Sequence, residues 1–182
     1  VSRAFENASK YGHIDMMEFL FSTGRVSVDV FDRVLEGSVT MKDTSVLSFL
    51  CSKKCASSSS INRAFEASSG SEMIRYLYEN ENISSEAIIV AFKKAAKCGE
   101  CFGGYTEEQV ATVKLLHKDN CIPDNVTGQA LVSAASMNHL ELVKLLRHGA
   151  RISAEMTRKA FAATFSCADT GVMKALYDEQ RI

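Results

Sequence analysis

A ladder of small and apolar residues recurs six times along this 182-residue chain. The copies open at Ala4, Val34, Ala64, Ala91, Ala130 and Ala160, so that successive openings lie 30, 30, 27, 39 and 30 residues apart. A period in this range is typical of solenoid proteins, in which short structural units stack on one another. The repetition therefore predicts a scaffold without a single catalytic centre.

Each copy contains two apolar sets at helical spacing. In copy one the sets are Ala4, Phe5, Ala8 and Ser9, followed by Met16, Met17, Leu20 and Phe21. Since residues three and four apart share a helix face, each set predicts one short helix. Small residues such as Ala134 and Ala135 allow two helix backbones to approach closely. Such a helix pair cannot bury its apolar face alone, so it requires the next copy stacked on it.

Serines mark the expected beginnings of three first helices. Ser27, Ser84 and Ser153 each follow a valine or isoleucine and precede Asp29, Glu86 and Glu155 by two residues. Serine is a favourable N-cap, and a carboxylate in the first turn interacts well with the positive end of a helix. Pro123 and the stretch 56–60 are expected in loops between copies.

Copy five, residues 129–153, resembles an ankyrin repeat. Its Ala130-Leu131, Ala134-Ala135, Asn138-His139 and Gly149-Ala150 stand where that family has Pro-Leu, Ala-Ala, Gly-His and Gly-Ala. The resemblance implies an all-α solenoid of about six stacked helix-turn-helix repeats, forming a single domain over 1–182. It also implies that His13 and His139, which occupy equivalent positions, form hydrogen bonds to the backbone of the turn.

The chain departs from that family at the opening of each copy. The Thr-Pro-Leu-His motif is replaced by Arg3-Ala4-Phe5-Glu6 in copy one and by Arg63-Ala64-Phe65-Glu66 in copy three. This pattern, with Ile-Ser-x-Glu before Ala-Phe, is similar to ankyrin-like repeats in secreted effectors of oomycete plant pathogens. That narrower resemblance implies secretion into a host cell and an intracellular site of action.

Composition narrows the classes of partner. The 21 basic and 22 acidic residues leave a formal charge of −1, whereas nucleic-acid binding favours a basic stripe. No stretch approaches the roughly 20 apolar residues of a membrane span. The chain starts at Val1 and its apolar pattern continues to Ile182, so we expect it to be a piece of a longer protein, with any targeting segment outside it.

Cysteines raise one alternative of a different class. Cys98 and Cys101 have the spacing of zinc and redox motifs, and Cys51 with Cys55 would supply two more thiolates. These pairs lie more than a repeat apart and no second Cys-x-x-Cys occurs, which favours free structural thiols. A zinc- or redox-active protein centred on Cys98 and Cys101 stays open as an alternative, and so does a structural spacer within a longer chain.

No catalytic arrangement stands out. His13 and His139 fall in turns without a neighbouring nucleophile, and His117 and His148 fall near the ends of second helices, where a positive charge meets the negative end of the dipole. We therefore predict no enzymatic activity and no cofactor or metal.

The predicted function is protein binding by a monomer, through the concave surface formed by the first helices. Aromatic and apolar anchors with neighbouring lysines would recognise an acidic partner. An insertion at 101–109 adds two aromatic residues between the helices of copy four, although a tolerated surface loop is the favoured explanation of the insertion. The predicted contact residues are Asn7, Lys10, Tyr11, Met41, Lys94, Lys97, Phe102, Tyr105, Ser133 and Met137.

Overall fold

The computed structural model describes residues 1–40, 44–97, 104–148, 152–166 and 170–178, and these contain helices without a β-strand. The α-helices of this part of the chain are α1 (Ser2–Lys10), α2 (Ile14–Ser22), α3 (Val28–Ser38), α4 (Ser45–Lys53), α5 (Ser58–Ala67), α6 (Ser71–Asn80), α7 (Ser85–Ala96), α8 (Glu107–Leu116), α9 (Asp124–Ser136), α10 (Leu140–Arg147), α11 (Ala154–Ala163) and α12 (Gly171–Asp178). A short 3-10 helix, Thr164–Ser166, follows α11. The predicted all-α class is confirmed.

The chain divides into two compact units, Val1–Ala91 and Phe92–Ile182, with the boundary inside α7. In the first unit the odd-numbered helices α1, α3 and α5 contact one another in order, and α2, α4 and α6 do the same. Each odd-numbered helix also packs on the even-numbered helix that follows it. The first unit therefore has two layers of helices that bury their apolar faces against each other.

The second unit shows the same pattern of contacts in its last four helices. Helix α9 packs on α11, and α10 packs on α12. The pairs α9–α10 and α11–α12 are also in contact. Each of these helices thus packs on two neighbours. This packing stabilises them, because a short amphipathic helix is only marginally stable alone in water.

Large side chains at one position of the pattern fill the core. The residue after the opening residue is fully buried in copies one to five, where it is Phe5, Leu35, Phe65, Phe92 and Leu131. The position three residues further on always holds a small buried side chain, namely Ala8, Ser38, Ser68, Ala95, Ala134 and Thr164. The predicted close approach of helices at small residues agrees with this burial.

Hydroxyl groups replace alanine at that small position without leaving a polar atom unpaired. The Ser38 Oγ donates to the Leu35 carbonyl at 2.7 Å, and the Thr164 Oγ1 donates to the Phe161 carbonyl at 2.7 Å. Ser68 bonds in the same way to the carbonyl of Ala64. Because each hydroxyl donates to a carbonyl three or four residues earlier in the chain, burial does not carry the cost of a lost hydrogen bond.

The turn between the two helices of a copy is built alike in copies one and five. Gly12 and Asn138 have positive φ angles of 68° and 53°, the left-handed conformation that ends many helices. The amide after each of them, in His13 and His139, donates back to the carbonyl of Ala8 or Ala134 at 2.9 Å. The His139 Nδ1 also accepts a hydrogen bond from the Leu142 amide at 3.3 Å, which confirms the predicted turn role for His139.

The same role is wrong for the side chain of His13, which caps α2 without a side-chain hydrogen bond. The centroid of its ring instead lies 6.1 Å from the centroid of the Tyr11 ring. The predicted N-caps Ser84 and Ser153 accept from the amides of Ala87 and Met156, at 3.2 and 3.3 Å. Ser27 is the N-cap residue of α3, although its side chain makes no capping bond.

Three details of the predicted pattern are wrong. Ala4 is exposed, whereas its equivalent Val34 is buried in α3, which packs on both α1 and α5. Met16 is 51% exposed because Met17 and Leu20 form the buried stripe of α2. The stretch 56–60 is only partly a loop, since α5 begins at Ser58, where the Ser57 side chain accepts from the Ser60 amide.

Candidate partner-binding surface

A surface groove lies between the odd-numbered helices α1 and α3 of the first unit. It has a volume of about 400 Å³ and is lined by Glu6, Ser9 and Lys10 from α1 and by Arg33, Val34 and Gly37 from α3. Two residues that the sequence assigned to partner binding, Lys10 and Asn7, lie on α1 and are exposed. Tyr11, the other predicted contact residue of copy one, directly follows α1 and is 68% exposed.

The second unit has a groove at the equivalent place, between α7 and α9. Its volume is about 230 Å³, and its lining residues are Lys93, Ala96, Lys97, Val126, Gln129, Ala130 and Ser133. Counted from the openings of their copies, Lys93, Ala96 and Lys97 occupy the positions of Glu6, Ser9 and Lys10. Gln129, Ala130 and Ser133 likewise occupy the positions of Arg33, Val34 and Gly37. The repeat pattern thus produces an equivalent groove twice, with a lysine at the Lys10 and Lys97 position of both and different residues at the other five paired positions.

The charges of the two grooves differ at one pair of positions. In the α1–α3 groove Arg33 lies 2.9 Å from the Glu6 carboxylate, and the same ion pair recurs between Arg63 of α5 and Glu36 of α3 at 2.9 Å. In the α7–α9 groove the corresponding residues are Lys93 and Gln129. Among the described residues, no carboxylate forms an ion pair with Lys93 or Lys97. The α7–α9 groove therefore carries two cationic side chains at its rim.

The structure brings some of the predicted contact residues together. Lys97 and Ser133 line the α7–α9 groove. Lys94 is exposed on α7, and Met137, the C-cap of α9, is 43% exposed. Met41 and Phe102 lie outside the described residues. Three residues of this groove were not predicted to bind a partner, namely Lys93, Val126 and Gln129. Lys93 directly precedes the predicted Lys94 and lies four residues before the predicted Lys97.

Tyr105 has a structural role instead of the predicted exposed position. It is half-buried, and its hydroxyl lies 2.6 Å from the Ala96 carbonyl and 2.9 Å from the Ser133 Oγ. Its ring packs edge-on against His139 with 5.5 Å between ring centroids. The inserted segment thus returns to satisfy a carbonyl at the end of α7, a group that a helix leaves without an internal partner.

The end of the insertion is helical. Helix α8 begins at Glu107, so 107–109 do not belong to the loop as expected. Thr106 and Gln109 form a capping box, in which the Thr106 Oγ1 accepts from the Gln109 amide at 3.2 Å and the Gln109 Oε1 accepts from the Thr106 amide at 3.0 Å. The Gln109 Nε2 also donates to the Lys97 carbonyl at 3.1 Å. These bonds hold the segment against α7 beside the groove.

Polar side chains of α3 and α5 each accept a hydrogen bond from the residue that precedes the next odd-numbered helix. The Asp32 carboxylate accepts from the Ser57 amide at 2.9 Å, and the Asn62 Oδ1 accepts from the Ser84 amide at 3.0 Å. Asp32 and Asn62 are equivalent positions of copies two and three. Sequence reasoning missed this pairing, although the 30-residue spacing of the two residues was visible.

The predicted helix-end positions of two histidines are confirmed. His117 and His148 are the C-cap residues of α8 and α10. Both line a cavity of about 360 Å³ in the second unit, together with Lys118, Asp119 and Asp124. Cations and carboxylates are mixed there, so the cavity has no clear preference for a ligand of either charge.

Cys51 is buried in α4, where burial and the nearby Glu81 carboxylate raise the pKa of its thiol to about 12. A metal ligand or nucleophile must be a thiolate, so this thiol is poorly suited to either role at neutral pH. Cys55 is exposed and free. No group of three or more potential metal ligands occurs among the described residues, and Cys98 and Cys101 lie outside them.

No described helix has the length and hydropathy needed to cross a membrane. No protein family, curated protein or solved structure matches this chain. The ankyrin resemblance thus stays a prediction that depends on the residue pattern alone.

Proposed function

We propose that this chain is a protein-interaction module made of six ankyrin-like helix pairs, and that it binds a partner protein through the surface of its first helices. The observation that carries the proposal is the groove that recurs between neighbouring first helices, at α1–α3 and at α7–α9. Repeat scaffolds bind through surface positions that vary while the core positions stay alike. The two grooves follow that rule, since Glu6 and Lys93 differ whereas Phe5 and Phe92 are both fully buried.

Exposed anchors at the ends of α1 and α9 favour a protein as the ligand. Tyr11 and Met137 occupy the same position of copies one and five and are 68% and 43% exposed. Aromatic and methionine side chains are enriched in the cores of protein interfaces. The formal charge of −1 gives nucleic acid no comparable support. We also propose that the protein is secreted into a host cell and binds its partner there.

Photo-cross-linking from single positions tests this function. A benzophenone amino acid replaces Lys10 or Met137 on the proposed surface, and Glu79 or Lys144 on the even-numbered helices α6 and α10 as matched exposed controls. We expect one partner protein to be cross-linked from Lys10 and Met137 and not from Glu79 or Lys144. Equal capture from all four positions, or capture from the controls alone, would contradict the proposal.

A further inference from the structure

We propose that the α7–α9 groove binds a glutamate or aspartate side chain of an acidic peptide segment in the partner. This inference rests on the proposed function and makes it specific. It follows from the comparison of equivalent positions. Between α1 and α3, and again between α3 and α5, a glutamate of one helix pairs with an arginine of the next at 2.9 Å. Between α7 and α9 the glutamate position holds Lys93.

The rim of the groove supplies donors for an incoming carboxylate. Lys93 lies on α7 and Lys97 directly follows the end of that helix, where the Lys97 amide donates to the Lys93 carbonyl at 3.1 Å. The two lysines are thus one helical turn apart, and both are exposed. Gln129 of α9 lies on the opposite side and carries amide donors. Neither lysine has an ion-pair partner among the described residues. A carboxylate held between these groups forms charge-assisted hydrogen bonds, which are stronger than those between neutral groups.

The floor of the groove fits a side chain better than a nucleic-acid backbone. It consists of Ala96, Val126 and Ala130, which are small and apolar. A volume of about 230 Å³ accommodates one or two side chains, whereas a nucleic-acid strand requires a longer basic track. The methylene groups of a glutamate can lie on this floor while its carboxylate reaches the lysines. The chemistry therefore favours an acidic peptide.

A peptide selection on the full chain tests the inference. Random nine-residue peptides displayed on phage are selected against the purified protein, and the enriched peptides are measured by fluorescence anisotropy. We expect enriched peptides to share an acidic residue at one position, and its replacement by Gln or Asn to weaken binding at least tenfold. Lys93→Glu combined with Lys97→Glu should weaken binding by at least tenfold. Higher salt should also weaken binding, because exposed charges are screened.

The matched control is Lys144→Glu combined with Lys174→Glu, which makes the same change of charge on the even-numbered helices α10 and α12 of the same unit. This control should change the affinity by less than twofold. Failure to enrich any peptide, enrichment without an acidic residue, or equal effects of the two double variants would overturn the inference. Tighter binding of an oligothymidylate with the same dependence on Lys93 and Lys97 would overturn it in favour of nucleic acid. Partner capture from Lys10 and Met137 without acidic-peptide binding would leave the proposed function standing.

Discussion

The hydroxyl of Tyr105 donates to the carbonyl oxygen of Ala96 at 2.6 Å, which ties the segment before α8 to the end of α7. Removal of this hydroxyl in Tyr105→Phe leaves a carbonyl at a helix end without that donor. The same hydroxyl bonds to the Ser133 Oγ at 2.9 Å, so the variant loses two hydrogen bonds. We expect the free energy of unfolding to fall by about 1–3 kcal/mol, since one hydrogen bond contributes about 0.5–1.5 kcal/mol net. Urea unfolding measures this loss. Tyr11→Phe removes a hydroxyl from a side chain that is 68% exposed, and it should leave stability unchanged.

Gly128 allows α9 and α11 to approach closely. A Cβ atom at this position would lie 2.7 Å from the Cγ and 3.1 Å from the Cβ of Met156, and these atoms cannot move aside as the end of a side chain can. Alanine gains about 1 kcal/mol of helix propensity, but the overlap costs about 1–3 kcal/mol. We expect Gly128→Ala to lower the thermal midpoint and Gly37→Ala, where no atom lies within 4 Å, to raise it. A stabilised Gly128→Ala variant would contradict the close packing of α9 on α11.

Ala134 is fully buried at the small position of α9. Ala134→Arg places an unpaired charge where helices meet, and we expect a loss of several kcal/mol, with unfolding of much of the second unit. Circular dichroism during thermal unfolding measures the effect. Ser136→Arg, two residues further on at an exposed position of the same helix, serves as the control and should cost less than about 1 kcal/mol. A variant at Ala134 as stable as the parent would show that the assigned register is wrong.

The buried thiol of Cys51 makes stability depend on pH in the alkaline range. Its pKa is raised to about 12 by burial and by Glu81, whereas a cysteine in the unfolded chain has a pKa of about 8.5. The thiol thus contributes stability that is complete below about pH 8.5 and is lost as the pH rises toward 12. The loss has an upper limit of about 1.4 kcal/mol per pH unit.

Replacement of Cys51 by Ala should remove this part of the alkaline destabilisation. Urea unfolding between pH 8 and pH 10 compares the slope of stability against pH in the parent, in Cys51→Ala and in Cys55→Ala. Cys55→Ala is the control for the loss of a thiol, because Cys55 is exposed. Equal slopes in all three proteins would show that the Cys51 thiol ionises as readily in the folded state as in the unfolded chain.

The sequence predicted the helical class because the apolar positions repeat at helical spacing in every copy. Phe5 and Phe65 occupy the same position and are both fully buried, as the pattern requires. The ion pair between Glu6 and Arg33 was within reach of the same reasoning, since a glutamate follows each opening residue by two positions in copies one to three. It was not predicted because helical spacing does not show which polar side chains of two neighbouring helices face each other.

The role of Tyr105 could not be predicted from the pattern. The insertion is unique to copy four, so no equivalent position in another copy indicates where its side chain lies. Its hydrogen bond to Ser133 joins residues 28 positions apart, and depends on how α7 and α9 are placed. By contrast, Thr106 and Gln109 have the spacing of a capping box, a local signal that the sequence already contains.

Binding of the cross-linked partner by a surface variant tests the central claim most directly. The triple variant Tyr11→Ala, Lys94→Glu and Lys97→Glu changes three exposed residues and should keep the circular dichroism spectrum of the parent. We predict that isothermal titration calorimetry will show a Kd at least tenfold higher, a loss of about 1.4 kcal/mol. An unchanged Kd for a correctly folded triple variant would show that the surface of the first helices is not the binding site.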